Sequence, residues 1–369
     1  MEINRRDFLS WMGGITALSL VDTAQATLPN HTRFLGARFY KKKKQYVATI
    51  ADEVGRCIRE VVLPGRGHSV IARPGKSEAV AIARRPGNFA VVFSTFGESQ
   101  PLKFNTPSTR HFQGHATFNP HGNLLFTTEN DFDSGSGVIG IYDAKNFYRR
   151  IGEIQSYGIG PHELAFMPDG KTLAIANGGI LTHPDMGRAK LNITTMEPSL
   201  AYVDSSNGEL KAHWVPPPGR KCKLSIRHLA IRRDGLVAYA CQDQGPINDA
   251  IPLIGLHRPN WHKPILFNAP HSNYAAMNGY CGSLAWDTSE QVLAVSSPRG
   301  NIVTFWNARS LSLSNVFKIE DGCGVATGQN PGTFVLSSGN GVFMLWPKNL
   351  KQNIQKYIPW DNHLSRITN

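Results

Sequence analysis

The stretch GIGPHELAFMPDGKTLAIANGGI, residues 158–180, decides the fold. It runs through a proline turn, a histidine (His162), a short apolar segment, a Pro-Asp-Gly turn and a second apolar segment. Two short apolar runs split by such a turn form an antiparallel pair of strands. The arrangement starts again six times: GRGHSVIARP (65–74), QGHATFNPHG (113–122), IRHLAIRRDG (226–235), CGSLAWDTSE (281–290), GCGVATGQNPG (322–332) and, at the end, DNHLSRI (361–367). Internal units continue into second strands such as LVAYAC, VLAVSS and TFVLSS, then third strands such as GVIGIYDA, NIVTFWNA and GVFMLWP. Short strands, frequent turn residues and almost no helical periodicity predict an all-β array, and a spacing of about 40–65 residues is that of four-stranded propeller blades.

Seven inner strands give a seven-bladed β-propeller. The last comes at the C-terminus, while the strands at 33–63 lack an inner strand of their own. Pairing of N- and C-terminal strands in one blade therefore closes the ring and removes its exposed edges. Residues 27–369 are read as this single domain.

Aligning the inner strands places His68, His115, His162, His228 and His363 at one register, with Ser283 and Gly324 in the other two units. Residues at one register and pleat phase point toward the channel axis at a common depth, which predicts a ring of imidazoles. Imidazole suits copper, zinc, iron and nickel, and the lack of a carboxylate at that register argues against calcium or magnesium. Only two or three of the five reach one ion unless the channel narrows; a wide funnel fits a haem-like ring or a metal chelate better. The bland alternative is that each histidine hydrogen-bonds a neighbouring blade and holds nothing.

Second-strand ends reach the same face. Arg84, Arg85, Glu129, Asn177 and Gln242 are thus candidate channel-mouth residues, with Ser296, Ser297, Ser338 and Asn340 beside them. The loop 178–198 is too long for a plain blade connection and brings His183, Asp185, Arg188, Lys190, Asn192 and Met196. Arg188 and Lys190 are expected to meet an anion, and His183 or Met196 a soft metal.

The chain of 369 residues has 41% hydrophobic residues and a formal charge of +12. Its first 26 residues read as a twin-arginine export signal: Arg5-Arg6 before an apolar run too short to span a bilayer, ending at Ala24-Gln25-Ala26. Removing them takes away two arginines and three acids, so the charge becomes +13. That favours an anionic small molecule, an acidic partner or an anionic membrane surface. Nucleic acid is excluded as a partner because no recognition helix or aromatic-basic platform is present, and no later segment is apolar enough to cross a membrane. Five scattered cysteines without a C-x-x-C argue against a disulfide framework. No nucleophile elbow, phosphate loop or zinc-protease motif occurs, and DSGSG at 133–137 is a flexible turn rather than a phosphate cradle.

The segments ARRPG, YGIGPHEL, ANGGILTHPDMGRAKLN, MEPSLAYVD and WDNHL resemble a twin-arginine-exported bacterial family with a conserved domain of unknown function. That family is often encoded beside imelysin-type iron-regulated proteins and haem peroxidase-like thiol oxidoreductases. The resemblance covers the mature chain and implies a periplasmic propeller serving iron, or copper, acquisition, with imelysin-like proteins as partners; it transfers no catalytic residue. PHELAFMPDGKTLAIAN is also similar to a pattern found in lactonase-like propellers. Sequence thus leads to a periplasmic protein holding iron, copper or a haem-like complex at the histidine ring. The alternatives are a metal-dependent oxidoreductase or lactonase-like hydrolase, and a docking scaffold.

Overall fold

A computed structural model describes residues 32–246, 249–347 and 359–367. The expected export signal lies outside the described residues. Seven antiparallel sheets follow one another along the chain. Blade 1 orders its strands Trp360–Ile367, Arg33–Tyr40, Gln45–Asp52 and Cys57–Leu63, so the C-terminal strand is innermost and the ring closes as the sequence predicts. Blades 2 to 6 begin with inner strands Gly67–Ala72, Arg110–Phe118, Pro161–Phe166, Leu224–Ile231 and Ser283–Trp286. Blade 7 begins at Gly322–Thr327 and has three described strands. Among the described residues one short α-helix, His271–Ala276, and a few 3-10 turns interrupt the β pattern. No helix among the described residues is long and apolar enough to cross a membrane.

The pleat builds the core. In the second strand of blade 4, Thr172–Asn177, Leu173 and Ile175 pack into the interface with blade 3, while Ala174 and Ala176 pack into that with blade 5. Successive side chains point to opposite faces, so a middle strand must be apolar throughout. Seven apolar clusters result, one at each blade interface. Outer strands have one wet face: RRIGEIQ, Arg149–Gln155, alternates exposed and half-buried residues.

Two buried histidines set a pH limit on this fold. His111 and His257 are each 1% exposed, and burial pushes both down to about 4. Below pH 6.5 the unfolded chain takes up protons at these sites that the native state refuses until about pH 4. Stability is therefore lost as pH falls through that window, at about 1.4 kcal/mol per pH unit for each histidine. The midpoint of thermal unfolding should drop steeply between pH 6.5 and 4.5; a level midpoint there would contradict the buried neutral state.

Candidate metal centre in the channel

The inner strands do more than align the histidines. Between first and second strands the ladder breaks at the ring register: between Gly67 and Val70, Phe112 and Ala116, Pro161 and Glu163, and Ile226 and His228. In blade 1 the break lies between Gly36 and Arg38, opposite Trp360 and Leu364. Such irregularities turn a side chain out of the sheet's regular alternation. Gly114 shows why one of them needs glycine: its φ is +109° and a Cβ would stand 2.4 Å from His68 Cδ2.

The five imidazoles meet. Ring centroids of His115 and His363, from blades 3 and 1, are 4.5 Å apart; those of His228 and His363, from blades 5 and 1, are 4.9 Å apart. His68 and His162 are 5.9 Å apart, and His162 and His228 4.8 Å. Contacts between blades that are not neighbours require the rings to point at the axis rather than into blade interfaces. His68, His115, His162 and His228 are 4%, 4%, 8% and 1% exposed. The channel does narrow here, and two triads, His68–His115–His162 and His115–His228–His363, bring their nitrogens within 4.8 Å of one another.

Their outer nitrogens are committed. His68 Nδ1 faces Asp361 Oδ1 at 3.3 Å, His228 Nδ1 faces Glu163 Oε2 at 2.9 Å, and His162 Nδ1 donates to the Arg227 carbonyl at 3.0 Å. A carboxylate or carbonyl accepts only from an N–H, so in these rings Nδ1 carries the proton, and in His68 and His162, which burial keeps neutral, Nε2 keeps its lone pair. His68 Nε2 and His363 Nε2 lie 3.3 Å apart. That is a hydrogen-bonding distance, and it is also close to the ~3.4 Å that separates two nitrogens on one tetrahedral ion. His115 Nε2 is buried without a partner among the described residues.

Burial holds four of the rings neutral. His68 is pushed down to about 4, chiefly by desolvation with Asp361 opposing it, and His115, His162 and His363 lie well below the ordinary imidazole range for the same leading reason. Asp361 is held far below the usual carboxylate range: burial opposes this, but His68, Arg84 and Arg66 outweigh it. Arg66 Nε donates to Asp361 Oδ2 at 2.6 Å, and Arg84 Nη1 stands 3.6 Å from Oδ1.

Above the ring, cations crowd. Arg85 is pushed down to about 9 and Arg227 to about 10, by burial first and then by neighbouring arginines that include Arg84 and Arg188. Lys190 is lowered by burial and by Arg227, Arg299, Arg85 and Arg188; its ammonium donates to Gln244 Oε1. Arg84 lines a cavity with Arg66 and Arg299, and Arg85, Arg188 and Lys190 add to the same positive field. Arg227, Arg299, Glu163, Asp361 and His111 belong to this region without having been singled out by register. Glu163 follows His162 directly and Arg227 precedes His228, so adjacency to ring residues was the available signal.

Other expected mouth residues turn inward. Glu129 is 0% exposed; its carboxylate accepts from Thr127 and Tyr142 hydroxyls at 2.7 Å each and pairs with Arg150 at 2.7 Å. It braces blade 3 because the pleat sends it into the blade and Asn130 toward His111, at 3.2 Å. Glu129→Ala should cost about 1–3 kcal/mol in denaturant unfolding, since it leaves the buried Tyr142 hydroxyl without its acceptor, while Arg150 keeps Glu153 at 2.8 Å. Asn177, also 0% exposed, donates to the Ser156 carbonyl at 2.8 Å and Ser199 Oγ at 3.1 Å. Gln242 is 6% exposed and its carbonyl accepts from Gln244. In the long loop, His183 Nδ1 accepts from the Asp185 amide at 3.3 Å and its ring meets Phe132 at 5.2 Å. Met196 is 3% exposed and packs rather than lining the mouth. Lys223 Nζ ties the loop down through the Ile193 and Thr194 carbonyls at 2.6 and 3.0 Å.

Fold and site together define a seven-bladed propeller whose channel is closed by a histidine cluster under a cationic mouth. The chain belongs to the family described as "Protein of unknown function (DUF1513)", which it matches over residues 61–367. No curated protein matches it. Among solved structures it is similar to a chain of Kuenenia stuttgartiensis Hydrazine Synthase, with 13% identity, a TM-score of 0.59, and 84% of this chain and 89% of that one covered. At that identity the likeness is one of fold.

Proposed function

We propose that the protein binds a single transition-metal ion, copper or iron, through the channel histidines, as a periplasmic accessory to metal uptake. The observation that carries this reading is the orphaned His115 Nε2, buried at the centre of four other rings. Leaving a buried nitrogen unpaired costs about 1–3 kcal/mol, and a ligated ion removes that cost. Asp361, Glu163 and the Arg227 carbonyl act as the outer partners that orient metal-binding imidazoles and fix their tautomers. Centroid spacings of 4.5–5.9 Å favour an ion within the cluster over a porphyrin among the rings. Copper and iron both accept an all-imidazole set. Periplasmic location and the link to uptake rest on the twin-arginine motif and on the family resemblance. The direct test is to titrate metal-stripped, folded protein with Cu(II), Fe(II) and Zn(II). One equivalent of copper or iron bound at micromolar affinity or better supports the reading; a protein that takes up neither defeats it.

A further inference from the structure

The mouth over the histidines carries far more positive charge than the fold needs. A cavity of about 340 Å³ is lined by Arg66, Arg84, Arg299, Tyr280, Asn362 and Asp321, next to the Asp361–His68 pair. Arg299 lies over the Tyr280 ring at 5.0 Å, and Tyr280 OH accepts from Asn362 Nδ2 at 3.0 Å. Arg85, Arg227 and Lys190 are each lowered by burial and by neighbouring cations, Arg188 among them, and Arg84 by burial, Arg66 and Arg188. Among the described residues, seven cations thus gather where three carboxylates, Asp321, Asp361 and Glu163, answer them. Among the described residues, the arginines paired with carboxylates here are Arg66 and Arg84, both with Asp361. Arg227 Nε is buried without a partner among the described residues, and the Arg227 carbonyl accepts from His162 Nδ1.

Like charges packed this way repel, and a fold retains them at low cost when an anion neutralises them. Guanidinium forks match carboxylates in particular, through paired charge-assisted hydrogen bonds. The cations come from separate places: Arg84 and Arg85 from blade 2, Arg188 and Lys190 from the loop after blade 4's second strand, Arg227 from blade 5, and Arg299 from blade 6. About ten water volumes fit in the cavity, which is room for a ligand carrying several spaced anionic groups.

The geometry points to a receptor for a small polycarboxylate at the mouth, so that the metal reaches the histidines as an anionic carboxylate chelate. That last step rests on the metal reading; the anion site stands apart from it. The carboxylates engage Arg84, Arg188, Arg227 and Arg299, while the histidine nitrogens below compete for the ion.

Citrate titrated calorimetrically into metal-free protein, in a non-chelating buffer of low ionic strength, tests the site alone. We expect saturable one-to-one binding that weakens at least tenfold in R188Q/R299Q, whose two side chains are exposed and whose thermal midpoint should stay that of the parent. Acetate should bind far more weakly, and H115A should bind citrate as the parent does. Absence of saturable binding, equal affinity in R188Q/R299Q, or tighter binding of inorganic phosphate than of citrate would each overturn the inference. Metal uptake by the histidines together with any of those results leaves the metal reading intact. Citrate binding without metal uptake keeps the anion site and removes the chelate.

Discussion

Replacing His115 with alanine should abolish stoichiometric metal binding while leaving the metal-free protein about as stable as before. The two readouts oppose each other for a physical reason. His115 contacts all four other rings and belongs to both triads, so its loss leaves neither triad complete. Perturbing an outer partner of a metal ligand costs about 10–100-fold in affinity, so losing the ligand itself should cost more than about 100-fold. In the metal-free protein, alanine forfeits packing but also removes an unpaired buried nitrogen, and these effects offset each other to within about 1–2 kcal/mol. Glu163→Gln should fall between parent and H115A, because it weakens the acceptor facing His228 Nδ1 and His115 Nδ1 without removing a ligand. His183→Ala, outside the cluster, should bind metal as the parent does. A purely structural histidine ring predicts the reverse for H115A: a large stability loss and no change in metal content. Metal content after gel filtration and the denaturant midpoint of the stripped protein decide between them.

Repetition made the ring legible and hid its surroundings. Alternation within strands such as Thr172–Asn177 and the recurrence of histidine at a fixed place carry the blades, their number and the closure. Register identifies residues that play the same part in every unit. Glu163, Asp361, Arg227 and Arg299 each occur in one blade only, so no alignment of units singles them out. Register also misleads at second-strand ends. Glu129 occupies a place equivalent to a channel-mouth position, yet the pleat turns it into the blade, where Arg150 from the outer strand meets it. The expectation that no carboxylate shares the histidine register holds, but carboxylates one and two residues away reach the imidazoles from behind. They select the nitrogen that each ring presents to the axis, a property of side-chain direction that spacing along the chain does not encode.

Closure of the ring gives the other large effect. A chain ending at residue 358 should fail to fold cooperatively, and a peptide of residues 359–367 added in trans should restore part of the native transition. The inner strand Trp360–Ile367 pairs with Arg33–Tyr40 and delivers Trp360 and Leu364, 5% and 7% exposed, to the cluster joining blades 7 and 1. Trp360 also lies 4.5 Å beneath the Arg38 guanidinium and 5.2 Å from the Phe343 ring. Removing a buried tryptophan alone costs about 3–5 kcal/mol, a large part of the 5–15 kcal/mol by which a domain is stable. The truncation removes that residue, a second apolar anchor and the backbone pairing of a whole strand. It also takes away His363, one of the proposed ligands, and Asp361, the acceptor behind His68. Strand addition to an open sheet edge is driven by main-chain hydrogen bonds and alternate side-chain pockets, both of which the peptide retains. Trp360→Ala in the full chain is the milder test and should lower the denaturant midpoint without changing the number of transitions. A truncated chain that melts cooperatively near the parent's midpoint would mean that blade 1 holds without its inner strand, and the closure would not be what secures the ring.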